Sequence, residues 1–194
     1  MSTPATAQSG ELAEVLAREA AAAGATVHGP MGLDEAFTLI RSLATSQRIL
    51  AWRPSALGIP DAWDRLTSAG LEPVSPSVPA DREARLAALA DIGEIDLGLT
   101  STLGALADTG SIVVASGPDR PRLAWLLPNR HVALVDVDGI HPTMAAFLDA
   151  TQEPLERLSH LAFVTGPSRT ADIELTMTRG VHGPRELHLI LVRR

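Results

Sequence analysis

A short polar segment near the end of the chain carries side chains that could bind an anion. Ser168, Arg169 and Thr170 follow a Gly-Pro turn, and we predict a strand before this turn and a helix after it. Ser168 would cap the helix by accepting from its free backbone N–H groups, beside the Thr170 hydroxyl. Arg169 offers a guanidinium that can bind a carboxylate or a phosphate through two hydrogen bonds. The segment therefore predicts an anion pocket at a strand's carboxyl end. The alternative is a capped surface helix with an ion pair, because Gly-Pro dipeptides mark turns in any protein.

Three ionisable residues follow this segment. Asp172 and Glu174 could act as acid and base or hold a hard metal, but residues two apart on a helix diverge by about half a turn. A shared metal is therefore not predicted, and Glu174 is expected to pair with an arginine. His182 lies in a second Gly-Pro turn. Its ring could donate to a bound carboxylate or move a proton near neutral pH, or it could simply fix the turn.

Further candidates lie in the middle of the chain. Thr100 ends a predicted central strand, and Asp108, Thr109 and Gly110 form a turn before the next one. The threonine can cap this turn, and the glycine permits close approach of the backbone to a ligand. These residues could therefore bind a ligand, although forming the turn is enough to explain their types.

Other polar and aromatic residues have simpler interpretations. Arg120 and Arg122 could supply a positive field to an anion, or be neutralised by Asp119 and other acids. The three tryptophans, Trp52, Trp63 and Trp125, are expected to pack in the core or an interface. The remaining histidines have no metal-ligand spacing and are predicted to be structural: His28, His131, His141, His160 and His188.

Composition excludes several classes of chemistry. The 194 residues include no cysteine and no lysine, and all 16 basic residues are arginine. Cysteine-ligated zinc, iron–sulfur clusters, Schiff bases and a P-loop lysine are therefore excluded. The net charge of −7, with dispersed arginines, argues against nucleic-acid and anionic-membrane partners. No Gly-x-Gly-x-x-Gly fingerprint, signal peptide or membrane-spanning segment occurs, so we expect a cytoplasmic protein with no directly bound cofactor and no metal.

Alternating apolar and amphipathic segments predict the scaffold. Residues 1–10 are expected to be a disordered lead and residues 11–194 a single domain. Helices are predicted at residues 11–23, 33–43, 61–69, 81–90, 103–107, 123–127 and 143–150. Strands are predicted at residues 25–28, 48–52, 71–74, 95–100, 111–115, 132–135, 161–164 and 187–192. This alternation predicts an α/β fold with a mostly parallel sheet, helices on both faces and ligands at the carboxyl ends of the strands.

Three groups of residues resemble one known family. They are residues 98–100 with 107–111, residues 116–118 with 120–122, and residues 166–174 with 180–184, and the last group is the most specific. In this order and spacing the chain resembles the LUD-domain family, in its lactate utilisation protein C branch. The resemblance is close over residues 95–192 and extends to the N-terminal third only as a pattern of elements.

The resemblance implies a fold of the NagB/RpiA/CoA-transferase group and a role in oxidising L-lactate to pyruvate. Iron–sulfur proteins are the implied partners. Our own hypothesis for the ligand is a small carboxylate or phosphorylated anion, bound at residues 168–170 near Thr100, Asp108 and His182. Family members usually carry glutamate where this chain has Asp108. The shorter side chain weakens a catalytic role at that position.

Two rival functions stay open at this point. One is a non-catalytic assembly or regulatory subunit. The other is an independent CoA transferase or sugar-phosphate isomerase. The transferase lacks a clear glutamate nucleophile in the expected turn, and the isomerase lacks a lysine to help hold a phosphate.

Overall fold

The largest feature of the fold is a parallel sheet of six strands. The computed structural model describes residues 4–151, 158–171, 177–179 and 183–193. From one edge to the other, the sheet contains β1 (Thr26–Met31), β12 (Glu186–Val192), β7 (Arg130–Asp136), β4 (Leu97–Ser101), β2 (Arg48–Ala51) and β3 (Glu72–Val74). Every neighbouring pair is parallel. The central strands are apolar almost throughout because both faces of the sheet are covered. The predicted α/β fold with a mostly parallel sheet is confirmed.

Seven described helices surround the sheets. They are α1 (Pro4–Ala22), α2 (Leu33–Leu43), α3 (Pro54–Leu57), α4 (Ala62–Ser68), α5 (Arg82–Gly93), α6 (Leu123–Leu126) and α7 (Met144–Ala150), with a 3₁₀ turn at Val137–Gly139. One cluster of buried side chains runs from Ala13 on α1 to Val192 on β12. None of the described helices is long and apolar enough to cross a lipid bilayer.

A smaller sheet lies beside the large one. It contains β8 (Ile140–His141), β5 (Gly104–Leu106), β6 (Ser111–Ser116) and β9 (His160–Val164). The β6 strand pairs antiparallel with both β5 and β9. The prediction of a parallel strand at residues 111–115 is therefore wrong, because an unbroken apolar run indicates burial on both faces and not strand direction. Residues 103–107, predicted to be helical, contain β5 because pairing with β6 outweighs local helix propensity.

The polar segment after β9 also differs from its prediction. Instead of a helix after Ser168, the structure has a hairpin of β10 (Arg169–Ala171) and β11 (Met177–Arg179), paired antiparallel. Short segments with β-branched residues favour a strand when a partner is available. The predicted capping of a helix by Ser168 is therefore wrong.

The first helix begins earlier than predicted. It starts at Pro4, so residues 4–10, predicted to be a disordered lead, are helical. The Ser9 hydroxyl donates to the Asp138 carboxylate at 3.0 Å, which fixes this end of the helix to the 3₁₀ turn. Further along, Ala13, Leu16 and Ala20 are buried. Together these contacts stabilise the first turns of α1, which the composition of the sequence does not predict to be helical.

Candidate functional site

The two Gly-Pro turns, separated in the chain, meet in the structure. The Ser168 backbone N–H donates to the Pro184 carbonyl oxygen at 2.9 Å. The Arg185 backbone N–H donates to the Asn129 carbonyl oxygen at 2.7 Å. Because Asn129 directly precedes β7 and Arg185 directly precedes β12, these bonds hold both turns at the amino ends of two central strands.

The turns border a small, mostly apolar cleft of about 180 Å³, which we call the turn cleft. Its apolar walls come from α6, β9 and β12, through Trp125, Leu126, Val164 and Leu187. The turns contribute Gly166, Pro167, Ser168, Gly183 and Pro184, and His131 completes the lining. An enclosure of this kind favours a small ligand with an apolar part and few polar groups.

His131 is a titratable side chain of the turn cleft. Its ring is 1% exposed, and its Nε2 atom lies 2.9 Å from the Thr100 hydroxyl oxygen. Burial lowers the pKa of His131 to about 3, so the ring is neutral at physiological pH. A neutral imidazole can donate one hydrogen bond and accept another, but it brings no positive charge to an anion.

Close packing of α6 on the sheet brings Trp125 to His131. A side chain at Gly98 would collide with the Ala124 carbonyl oxygen, so the glycine lets α6 lie directly on β4. The Trp125 and His131 ring centroids are then 6.4 Å apart. Trp125 is 6% exposed, and its buried Nε1 atom has no hydrogen-bond partner among the described residues.

Gly166 shapes the first turn. Its φ of 76° is a left-handed conformation that favours glycine, and a side chain there would collide with the Ala23 carbonyl oxygen. The turn therefore fits against the end of α1, which holds Pro167 and Ser168 at the cleft.

A scan against family models matches a LUD domain over residues 13–192. The chain belongs to the LUD-domain family. The predicted resemblance is thus confirmed over nearly the whole chain, including the N-terminal third.

Several curated relatives of this LUD domain carry the name Lactate utilization protein C. The chain is 32% identical over 152 residues to the protein from an Exiguobacterium species, covering 75% of this chain and 58% of that protein. It is 28% identical over 155 residues to the protein from Deinococcus radiodurans, covering 79% of this chain and 66% of that protein. It is 34% identical over 103 residues to the protein from Bacillus subtilis, covering 51% of this chain and 43% of that protein. The matches thus span from 43% to 66% of these relatives' own length.

The fold of this LUD domain also has a solved counterpart. A DUF162 family protein from Deinococcus radiodurans superposes with a TM-score of 0.65 at 21% sequence identity. The match covers 95% of this chain and 98% of that one, so the two share their fold over nearly their full length.

The described residues contain only part of the predicted pocket. Thr100 reaches the turn cleft through its bond to His131, and Ser168 lines the cleft. Arg169 and Thr170 lie on β10, beyond the first turn. Asp172, Glu174 and His182 lie outside the described residues.

The 108–110 turn of this LUD domain lies apart from the turn-cleft lining. Asp108 is exposed, and its backbone N–H donates to the Pro142 carbonyl oxygen at 3.2 Å. The Thr109 hydroxyl lies 2.8 Å from the Ser111 hydroxyl, which lies 2.5 Å from that of Thr165. Gly110 packs against α1. The hydrogen bonds of this turn link β6 to the loop after β9, so the turn has a structural role.

His131 and Trp125 are the cleft residues whose roles sequence reasoning missed. His131 precedes an unbroken apolar run, and a polar ring at the start of a buried strand is the signal that could have identified it. Trp125 was predicted as packing, and its alignment with His131 depends on the contact between α6 and β4. Among the described residues, no group of three or more histidine, aspartate or glutamate side chains could hold a metal.

Proposed function

We propose that this LUD domain takes part in lactate utilisation, as a component of L-lactate oxidation to pyruvate that binds a small carboxylate in the turn cleft. The relatives named Lactate utilization protein C support the role. The observation that carries the ligand proposal is an apolar wall beside a buried, neutral His131 that is hydrogen-bonded to Thr100.

The cleft suits a three-carbon acid better than a larger ligand. Its volume of about 180 Å³ lies below the roughly 300–1,000 Å³ typical of pockets for drug-sized ligands. The ligand's methyl group would contact Trp125 and Leu126, while its oxygens would meet the Ser168 hydroxyl and the His131 ring. A CoA ester or a sugar phosphate would exceed the space of the turn cleft.

The domain's own part in the reaction is to bind and orient the acid. Oxidation of lactate to pyruvate removes two electrons and two protons from the substrate. The sequence has no cysteine, so cysteine-ligated clusters that accept electrons would belong to other chains. We infer that separate iron–sulfur proteins are the partners that take the electrons.

A non-catalytic assembly or regulatory subunit is the second candidate, and one observation favours it. Among the described side chains that line the turn cleft, His131 is the only titratable one. Burial keeps its ring neutral, since its pKa is lowered to about 3. A ring that resists protonation is a poor general base near neutral pH.

A thermal-shift series tests the ligand proposal. L-lactate and pyruvate should raise the melting temperature, since ligands that bind only the native state stabilise it. Inorganic phosphate, a sugar phosphate and a CoA ester serve as comparison ligands. Val164→Phe should fill the cleft and remove the shift, whereas the matched control Leu161→Phe, on the same strand outside the cleft lining, should keep it.

Two further results bear on the proposal. Arg169→Ala should weaken binding of the acids without unfolding the protein, because Arg169 follows the first turn in the sequence and a guanidinium can bind a carboxylate through two hydrogen bonds. A wild-type protein whose melting temperature no acid raises would refute the ligand proposal. Co-purification with iron–sulfur proteins, measured as iron in the isolated complex, would support the role as a subunit independently of the ligand.

A further inference from the structure

A second cleft lies where the strand order of the large sheet reverses. The chain adds β3 on one side of β2 and then returns to place β4 on the other side. In open parallel sheets, ligands bind outside the carboxyl ends of the strands at such a reversal. The turn cleft lies elsewhere, since His131 and Leu187 are near the amino ends of β7 and β12.

Two adjoining hollows form this second site, which we call the carboxyl-edge cleft. One, of about 290 Å³, is bordered by Ser55, Asp119 and Arg120, and the other, of about 260 Å³, by Arg53, Ser75 and Asp119. These side chains follow β2, β3 and β6. The site is therefore built from three separate loops, two that follow strands of the large sheet and one that follows a strand of the smaller sheet.

Two indole rings position the two guanidinium groups. The Arg53 guanidinium carbon lies 5.9 Å from the Trp63 ring centroid, and that of Arg120 lies 6.0 Å from the Trp52 centroid. The Trp63 Nε1 atom donates to the Trp52 carbonyl oxygen at 3.0 Å, and the Trp52 Nε1 atom donates to the Pro121 carbonyl oxygen at 3.3 Å. The two hydrogen bonds hold the indole rings in place, and cation–π contact places both guanidinium groups beside the cleft.

Asp119 places a carboxylate beside the Arg53 guanidinium. Its φ of 60° is a left-handed conformation that few residues other than glycine adopt. Its carbonyl oxygen accepts from the Arg53 backbone N–H at 3.3 Å, and its carboxylate accepts from the Ser55 hydroxyl at 2.9 Å. The Arg53 Nε atom lies 3.5 Å from the same carboxylate. The loop is thus held in this conformation by the segment that follows β2.

We propose that the carboxyl-edge cleft binds an oxyanion that also carries hydroxyl groups. The guanidinium groups match the oxygens of a phosphate or carboxylate. Asp119 repels a second anionic group but accepts hydrogen bonds from hydroxyls, and Ser55 and Ser75 can pair with the same hydroxyls. The two hollows together exceed the turn cleft in volume, so this ligand is larger than the three-carbon acid.

Calorimetric titration of the full chain tests this site with three probes. Gluconate carries a carboxylate and hydroxyls, glycerol phosphate carries a phosphate and hydroxyls, and sulfate carries neither hydroxyls nor carbon. At least one hydroxylated probe should bind more tightly than sulfate. Binding of gluconate alone identifies a carboxylate site, binding of glycerol phosphate alone identifies a phosphate site, and binding of both supports the shared chemistry.

Two variants and a control make the test specific. Arg53→Gln should lower the affinity for the hydroxylated probe about tenfold, because a charge-assisted hydrogen bond is lost. Arg18→Gln, an exposed arginine on α1, should leave affinity unchanged. Asp119→Asn keeps a residue that tolerates the left-handed conformation, and it should reduce the preference for hydroxylated probes over sulfate. Equal affinity in Arg53→Gln and Arg18→Gln, or no binding of any probe, would overturn the proposal.

Discussion

The two clefts of this LUD domain differ in the kind of surface they offer. The turn cleft is small and is lined by apolar side chains and by a histidine that burial keeps neutral. The carboxyl-edge cleft is open and lined by arginine, aspartate and serine side chains. A small acid with a methyl group suits the first, and a hydroxylated anion suits the second.

The largest expected effect concerns acid stability and the buried histidine of the turn cleft. His131 has a folded-state pKa of about 3, against an ordinary value of 6.5. Between these two pH values the unfolded chain binds more protons, so the free energy of unfolding falls as pH drops through that window. The slope reaches about 1.4 kcal/mol per pH unit. Urea unfolding at pH 7 and pH 4 should show a smaller loss in His131→Gln than in wild type.

The control for this prediction is an exposed histidine. His160→Gln should keep the wild-type loss of stability between pH 7 and pH 4. His28 and His188, whose pKa values burial also lowers, contribute equally to both variants. If His131→Gln and His160→Gln lose the same stability, the buried ring is not the source of the pH dependence.

A second prediction separates the two clefts by ligand. Val164→Phe should weaken pyruvate binding by more than about tenfold, because an added ring occupies the space that a small ligand would fill. The same variant should leave binding of the hydroxylated probe unchanged. Arg53→Gln should show the reverse pattern. Calorimetry on both variants checks the prediction, and a loss of both ligands in either variant would mean that the clefts are not independent.

A third prediction compares a tryptophan from each cleft. Trp52→Phe should lower the free energy of unfolding by about 1 kcal/mol more than Trp125→Phe. The reason is that Trp52 loses the bond from Nε1 to the Pro121 carbonyl oxygen, whereas the Nε1 atom of Trp125 has no partner among the described residues. Urea unfolding measures both values. A larger loss in Trp125→Phe would contradict the prediction and show that its indole N–H forms a hydrogen bond with a partner outside the described residues.

The smallest effect is expected for the stability contribution of an exposed arginine. Arg53→Gln should change the free energy of unfolding by less than about 1 kcal/mol, because exposed ion pairs contribute little. Its side chain is 56% exposed, and its partner Asp119 is 47% exposed. A small stability change combined with weaker probe binding would assign Arg53 to ligand binding. A large stability loss would instead make this ion pair part of the scaffold.

Sequence reasoning recovered the large sheet better than the site. Apolar runs such as residues 132–135 and 187–192 identify buried strands, and the segments between them predict the crossover helices. The hairpin β10–β11 and the β5 strand escaped prediction because their pairing partners, and not their own propensities, determine them. The bond between Thr100 and His131 and the contact between Arg53 and Asp119 join residues distant in sequence, so no local pattern reveals them.

The three tryptophans provide one direct test of the central claim that a small carboxylate binds in the turn cleft. Trp125 lines the turn cleft, while the rings of Trp52 and Trp63 contact the arginines of the carboxyl-edge cleft. The measurement is the shift of the three indole N–H signals in a ¹⁵N-labelled NMR spectrum as pyruvate is added. We expect the Trp125 signal to move while the Trp52 and Trp63 signals stay in place. Movement of the Trp52 and Trp63 signals with an unchanged Trp125 signal would contradict the account.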